Sequence, residues 1–238
     1  IVPKTDHVYG ADGTCEFCGE SKYVVTFELN SDGKGYTVAG LKKKATITNG
    51  VLFIPGMYNN LPVTEIKATA FRPEYDYGTE HKIKKVIIEE GVLQINGGAF
   101  ENCDNIEEVS LPKSLTRICY YAFANCEKLK EIVIPAKVVY LESHTFNYCT
   151  SLKKVTILGD INTSEAAGTA FEGCLNIEEW YGTPCTFRFF DKTNLKKATM
   201  KTLGSNSYFV DRGVLYGANN LVELSIPQIG DSASDGYD

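Results

Sequence analysis

Histidine and cysteine offer the most chemistry in this chain, which has His7, His81 and His144 against eight cysteines. His7 stands ahead of Cys15-Glu16-Phe17-Cys18-Gly19, a C-x2-C knuckle of the kind that supplies half of a structural zinc site. A closed zinc site takes four ligands and this segment offers three, so a local disulfide or a free turn explains the spacing equally well. His144 precedes Cys149 by five residues, but no third group is placed to orient a Cys-His nucleophile. Glu89-Glu90, Glu107-Glu108 and Glu178-Glu179 are neighbours in sequence, so their side chains diverge rather than share a proton. No Gly-rich loop leads into Lys-Ser/Thr, and G-x-S-x-G is absent. These residues predict no enzyme. Zinc at His7, Cys15 and Cys18 is the one cofactor they suggest.

The other cysteines obey a different rule. Cys103, Cys126, Cys149 and Cys174 each follow a phenylalanine by three residues, and Phe100, Phe123 and Phe146 lie 23 residues apart. Three residues on come Ile106, Leu129 and Leu152, then Val109, Ile132 and Val155, then Leu111, Ile134 and Ile157. A fixed period in the twenties marks a solenoid, whose repeats bury their apolar faces only against each other. Cysteines at a constant place in such a repeat should be buried, reduced and stacked, since free Cys packs as a small hydrophobe. Cys119 and Cys185 stand outside the pattern, as core or partly exposed thiols.

The repeat pattern divides the chain. Residues 1–20 are an irregular segment holding the C-x2-C. Residues 21–55 form a β-hairpin cap leading into the first strand: Tyr23 to Leu29 and Tyr36 to Val38 flank Asn30-Ser31-Asp32-Gly33, and Asn49-Gly50 reads as a second hairpin turn before Val51 to Ile54. Residues 56–182 carry the repeats, with an insertion from Arg72 to Gly78 that displaces one Phe-x-x-Cys turn. Between Thr183 and Ser207 the period is lost. Residues 183–229 are then an irregular segment with a terminal hairpin at Tyr208 to Tyr216 and a return to strand phase at Leu221-Leu224-Ile226. Residues 230–238 read as a disordered tail. The expected fold is a β-rich solenoid with a parallel concave sheet and little helix.

The 238 residues carry a net charge of −6, the wrong sign for nucleic acid. No apolar run is long enough to span a membrane. The sequence opens on Ile1 without Met or a signal-peptide apolar region, so it reads as a processed piece of a longer multidomain protein.

Leu-Pro-x-Ser-Leu-Thr-x-Ile…Ala-Phe-x-x-Cys, from Leu111 to Cys126, resembles the bacterial BspA-like leucine-rich repeats, also called the Treponema pallidum type. The resemblance covers Ala45 to Trp180 well and Tyr208 to Pro227 loosely. It implies a secreted or cell-surface bacterial protein and a role in adhesion to proteins or to other bacteria.

Strand side chains alternate, so the residue between the two inward ones points out on the concave side. This places Phe53, Ile87, Ser110, Val133, Thr156 and Tyr181 in one outward row. Beside them run Lys85, Glu108, Glu131, Lys154, Glu179 and Lys84, Glu107, Lys130, Lys153, Glu178. Signs alternate except at Glu108–Glu131 and Lys130–Lys153, as a parallel sheet needs to avoid like-charge rungs. The candidate contacts for a protein or glycan ligand are therefore the apolar and aromatic members, Phe53, Ile87, Val133 and Tyr181. The insertion and the residues just after it add Arg72, Tyr75, Tyr77 and His81, because loops on rigid scaffolds carry recognition. The competing expectation is a spacer that binds nothing.

Overall fold

The computed structural model of the chain describes residues 10, 13–14, 23–43, 45–73, 82–161, 169–182, 193–200 and 218–225. Its strands, in order, are β1 (Val25–Leu29), β2 (Tyr36–Leu41), β3 (Val51–Ile54), β4 (Met57–Tyr58), β5 (Leu61–Ile66), β6 (Lys85–Ile88), β7 (Gln94–Ile95) and β8 (Glu108–Ser110). There follow β9 (Arg117–Ile118), β10 (Glu131–Ile134), β11 (Tyr140–Leu141), β12 (Lys154–Ile157), β13 (Glu179–Gly182), β14 (Lys197–Met200) and β15 (Glu223–Ser225). The one helical element among the described residues is a 3-10 turn at Thr48–Gly50.

Each coil has three sides. The first is the Leu-x-x-Val-x-Ile strand, which pairs in parallel with its equivalent one coil on: Val51↔Lys85 through Ile54↔Ile88, and Glu131↔Lys154 through Ile134↔Ile157. The inward residues Ile83, Val86 and Ile88, or Leu129, Ile132 and Ile134, are buried because alternation aims them at the core. The second side is a shorter ladder. Ile66, Ile95, Ile118 and Leu141 stack in register in a sheet ordered β1-β2-β5-β7-β9-β11, with β4 paired to β5. From sequence these residues share a phase; the structure makes them a second parallel sheet.

The third side is a run of turns, and it holds the core together. Phe71, Phe100, Phe123, Phe146 and Phe171 form one stack, with centroids 4.9, 5.0, 5.4 and 5.1 Å apart and rings within 11° of parallel. The backbone N–H of Phe71, Phe100 and Phe123 donates to the carbonyl of Ala99, Ala122 and Thr145 in the next coil at 2.8 Å, so the turns are laddered like strands. Cys103, Cys126, Cys149 and Cys174 are free thiols buried beside the stack. Each Sγ–H donates to the repeat phenylalanine carbonyl one coil back, at 3.1, 3.4, 3.2 and 3.0 Å. Cysteine thus fills space as a hydrophobe would and also satisfies a buried carbonyl, a role its spacing alone does not reveal. Cys119 is buried as well.

Three expectations change at the ends and at the middle. The β1–β2 hairpin forms, but it extends the second sheet through a parallel β2–β5 pairing. Its turn is tied down where Asn30 Nδ2 donates to Thr64 Oγ1 at 3.0 Å, and Tyr23, Phe27, Tyr36 and Tyr58 pack over the first coil with Phe27 and Tyr58 stacked at 3.8 Å. Asn49-Gly50 is not a hairpin: it is the 3-10 turn, with Asn49 at φ 54°, and it feeds β3 into a parallel pair. Beyond Gly182, where the sequence loses its period, β14 pairs with β13 from Glu179↔Lys197 to Gly182↔Met200 and buries Leu195, Ala198 and Met200. The signal there is weak because alanine and methionine stand in the inward slots. Trp180 closes the ring stack edge-on to Phe171 at 5.5 Å and donates its indole N–H to the Gly182 carbonyl at 3.2 Å. Gly182 has φ +129°, and a Cβ there would lie 2.7 Å from Ile157 Cβ, so it makes room for the preceding coil.

The first side is also split. β8 and β10 do not pair, which leaves one sheet of β3-β6-β8 and another of β10-β12-β13-β14-β15. Val109 and Leu111 beside the split are only half-buried.

Phe123 sits at the middle of the ring stack with a ring on each face, so Phe123→Ala should destabilise the chain by ~3–5 kcal/mol, read from denaturant unfolding. An unchanged midpoint would be inconsistent with the stack. Burial pushes the Cys103 thiol up to about 12 and holds Cys126 and Cys149 well above the ordinary thiol value. Under native conditions these three should resist alkylation, and in denaturant they should label fully by peptide mass spectrometry; rapid native labelling would contradict their placement.

Candidate functional site

The outward row of the first side forms as the alternation requires. Register carries it from Phe53 to Ile87 to Ser110, then from Val133 to Thr156 to Tyr181, Thr199 and Ser225. Phe53, Val133 and Tyr181 are 39%, 47% and 41% exposed, while Ile87 is half-buried. The polar Ser110 and Thr156 fall between them, so the apolar members are spaced out along the row. Arg72 is exposed and pairs through Nη1 with Glu101 Oε2 at 3.1 Å. Tyr75, Tyr77 and His81, like His7, Cys15 and Cys18, lie outside the described residues. Among the described residues no group of three or more His, Cys, Asp or Glu is placed to hold a metal ion.

Charges flank this row in pairs. Lys85 meets Glu108 at 2.6 Å, Lys130 meets Glu107 at 2.6 Å, Lys153 meets Glu178 at 3.4 Å and Lys154 meets Glu179 at 3.7 Å. The ladder continues where the period is faint, with Lys196 to Glu178 at 2.9 Å and Lys197 to Glu223 at 2.8 Å. The adjacent acids do diverge: Glu107 reaches forward to Lys130 and Glu108 back to Lys85, while Glu89 accepts the Gly56 N–H and Glu90 those of Lys113 and Ser114. The like-charge rung Glu108–Glu131 falls at the split between β8 and β10. His144 and Cys149 have separate partners, with His144 Nε2 on Glu172 Oε2 at 3.0 Å and the thiol on the Phe123 carbonyl inside.

The sequence reading missed the aromatic surface at the corner between the second and third sides. Tyr140 is matched in register with Arg117, whose guanidinium lies over its ring at 4.5 Å. Glu142 reaches Arg117 at 3.7 Å and accepts the Tyr120 N–H at 3.1 Å. Tyr120 meets Tyr121 edge-on at 6.2 Å, and Tyr121 stacks on His144 at 5.0 Å. Tyr120, Tyr121 and Tyr140 are 55%, 40% and 46% exposed.

These aromatics occupy places that suit smaller residues. Tyr121 and His144 have φ of 56° and 59°, the left-handed region, and at the same place in the two coils before them stand the smaller Thr69 at 57° and Gly98 at 63°. Tyr148, at 53°, stands where Asn102, Asn125 and Gly173 stand in other coils. A bulky residue there costs about 1–2 kcal/mol that glycine avoids and asparagine largely does. Gly97 leaves space for Tyr120, since a Cβ on it would lie 2.8 Å from the ring. Comparing the turn positions coil by coil would have exposed the substitution of tyrosine for Gly and Asn; attention to core positions alone passes over it.

Two parallel sheets and a laddered turn side, repeated around one ring stack, define a leucine-rich-repeat solenoid. The chain belongs to the BspA type Leucine rich repeat region family, whose sequence model matches residues 64–186 in six copies. Among solved structures it is similar to the Treponema pallidum leucine-rich repeat protein, with 22% identity over 85% of this chain and 79% of that one and a TM-score of 0.56. A leucine-rich repeat protein from Bacteroides capillosus matches at 28% identity over 56% of this chain and 94% of its own, TM-score 0.48. One from Bacteroides ovatus matches at 22% over 85% and 52%, TM-score 0.48. A search of curated proteins returns no match. Proteins of this bacterial repeat family are typically binding or structural modules, and no catalytic family is indicated. No helix among the described residues is long and apolar enough to cross a membrane.

The paired carboxylates set an acid response. The Lys113 N–H holds the Glu90 carboxyl below its ordinary value, Lys130 does so for Glu107, and Lys196 does so for Glu178. A carboxyl depressed in the folded state adds stability that is present above its unfolded value and lost as pH falls through its folded value. Melting temperature should be nearly flat from neutral pH to roughly pH 5 and fall towards roughly pH 3. A flat profile through that acid window would contradict the pairing.

Proposed function

We propose that this chain is a ligand-binding module of a secreted or cell-surface bacterial protein, which recognises a protein or a glycan. The observation that carries the reading is the exposure of Phe53, Val133 and Tyr181 on the outward positions of the first side, with Val133 and Tyr181 locked in register through Thr156, where a polar residue would serve packing equally well. Rigidly held aromatic groups supply binding energy at little entropic cost. Neighbouring ion pairs leave that face without a dominant sign, which suits a ligand of mixed or no charge. The segment from Arg72 to His81 is the second proposed contact. Zinc at His7, Cys15 and Cys18 is a separate proposal, decided by metal analysis of the purified chain.

The test is an array of host and matrix proteins and glycans probed with the full chain. A Phe53→Ser/Val133→Ser/Tyr181→Ser variant and a Tyr75→Ser/Tyr77→Ser variant follow on whatever binds. Binding reduced at least about tenfold in one variant, with melting unchanged, supports that surface as the contact. Retention by both variants removes these surfaces from the proposal. An array on which nothing binds favours a spacer that holds other domains apart.

A further inference from the structure

The corner surface from Tyr140 to His144 is one connected strip: the Tyr140 ring under the Arg117 guanidinium, Glu142 joining that guanidinium to the backbone N–H of Tyr120, and then the rings of Tyr120, Tyr121 and His144 in turn. Nothing in the core requires it. The inward slots of these coils are filled by Ile118, Phe123, Leu141 and Phe146. The aromatics are displayed against local backbone preference, at two positions with left-handed φ, and the preceding coil supplies Gly97 and Gly98 beside them. Tyr120 lies across Gly97. No side chain from the Gly98 position meets the face of Tyr121 turned away from His144. An uncommon backbone state kept at a cost points to use rather than packing.

The chemistry of the strip narrows what it fits. Its guanidinium, Arg117, is paired with Glu142, and the His144 imidazole lies against the Glu172 carboxylate, so the strip sets an acid beside each group that could meet a sulfate or phosphate. It sets exposed rings beside planar groups able to donate and accept two hydrogen bonds at once. A pyranose has the complementary form: one face of C–H groups that packs on an aromatic ring, and a rim of hydroxyls that both donate and accept. A protein partner would instead centre on the aliphatic Leu93 and Val139, exposed just ahead of β7 and β11. We infer that Tyr120, Tyr121, Tyr140, Arg117, Glu142 and His144 form a binding surface for an uncharged oligosaccharide. The inference rests on the binding-module reading and moves the contact from the first side to this corner.

The experiment uses the full chain against immobilised neutral glucans, galactans, mannans and N-acetylglucosamine oligomers, with heparin and matrix proteins alongside. One variant combines Tyr120→Ser with Tyr121→Asn, because Asn102 and Asn125 show that asparagine accepts the left-handed turn. Another, Gly97→Ala, keeps both rings and displaces Tyr120. A neutral oligosaccharide should bind and lose about tenfold or more in affinity in both variants, with the melting temperature of the double variant held or raised. Binding that survives both variants overturns the inference, as does binding of heparin alone. Binding of a protein that is lost with Leu93→Ser/Val139→Ser or with the Phe53/Val133/Tyr181 variant overturns it too, but leaves the binding-module reading standing. If nothing binds, both fall.

Discussion

Every coil must present the same backbone groups at the same height, and the repeat phenylalanine enforces this. Its carbonyl is buried, where an unpaired acceptor would be costly. In a middle coil such as that of Phe100, the carbonyl takes the N–H of its own Cys103 and the thiol of Cys126 one coil on, while its own N–H reaches Ala122. The ring spacing of 4.9 to 5.4 Å is close to the distance between hydrogen-bonded strands, so side-chain stacking and backbone pairing demand one repeat length. The extra residues between Arg72 and Lys82 come after Phe71, whose ring still stacks on Phe100 and whose N–H still reaches Ala99.

Because the interior is settled by that repeat, the outward positions are free to differ, and the sides use the freedom differently. The first side sets most of its lysines against a glutamate one coil away, leaving Lys130–Lys153 and Glu108–Glu131 as like-charge rungs, at little energetic gain for pairs this exposed. Where two glutamates do meet, at Glu108 and Glu131, the sheet is interrupted. On the turn side, the left-handed place of Asn102 is taken in later coils by Asn125, Tyr148 and Gly173, and that of Gly98 is shared with Thr69, Tyr121 and His144, so the bulky residues gather in the middle coils.

An open stack of strands has two raw ends. At the first, an antiparallel hairpin with a bulge between Thr26 and Phe27 lies along β5, and a cluster of four aromatic rings packs over the opening coil. Towards the other, Trp180 turns its ring edge-on to the last phenylalanine, and β14 and β15 carry the first side further. The charge ladder travels with them to Glu223.

The sequence alone determined the period, the inward residues of the first side, the buried cysteines and the hairpin over Tyr23 to Val38. Each follows from local alternation or from identity at a fixed spacing, which distance along the chain cannot blur. The extension of the first side through Ala198 and Met200 was illegible, because those inward residues are not the Val and Ile that signal a strand. The structure likewise decided that the cap joins the second sheet, since turn residues specify a hairpin but not the edge on which it docks. The thiol-to-carbonyl bonds and the Tyr140–His144 strip also belong to the tertiary structure. Apart from the adjacent Tyr120 and Tyr121, the partners lie 22 to 32 residues apart, and only the winding of one coil on the next brings their atoms together.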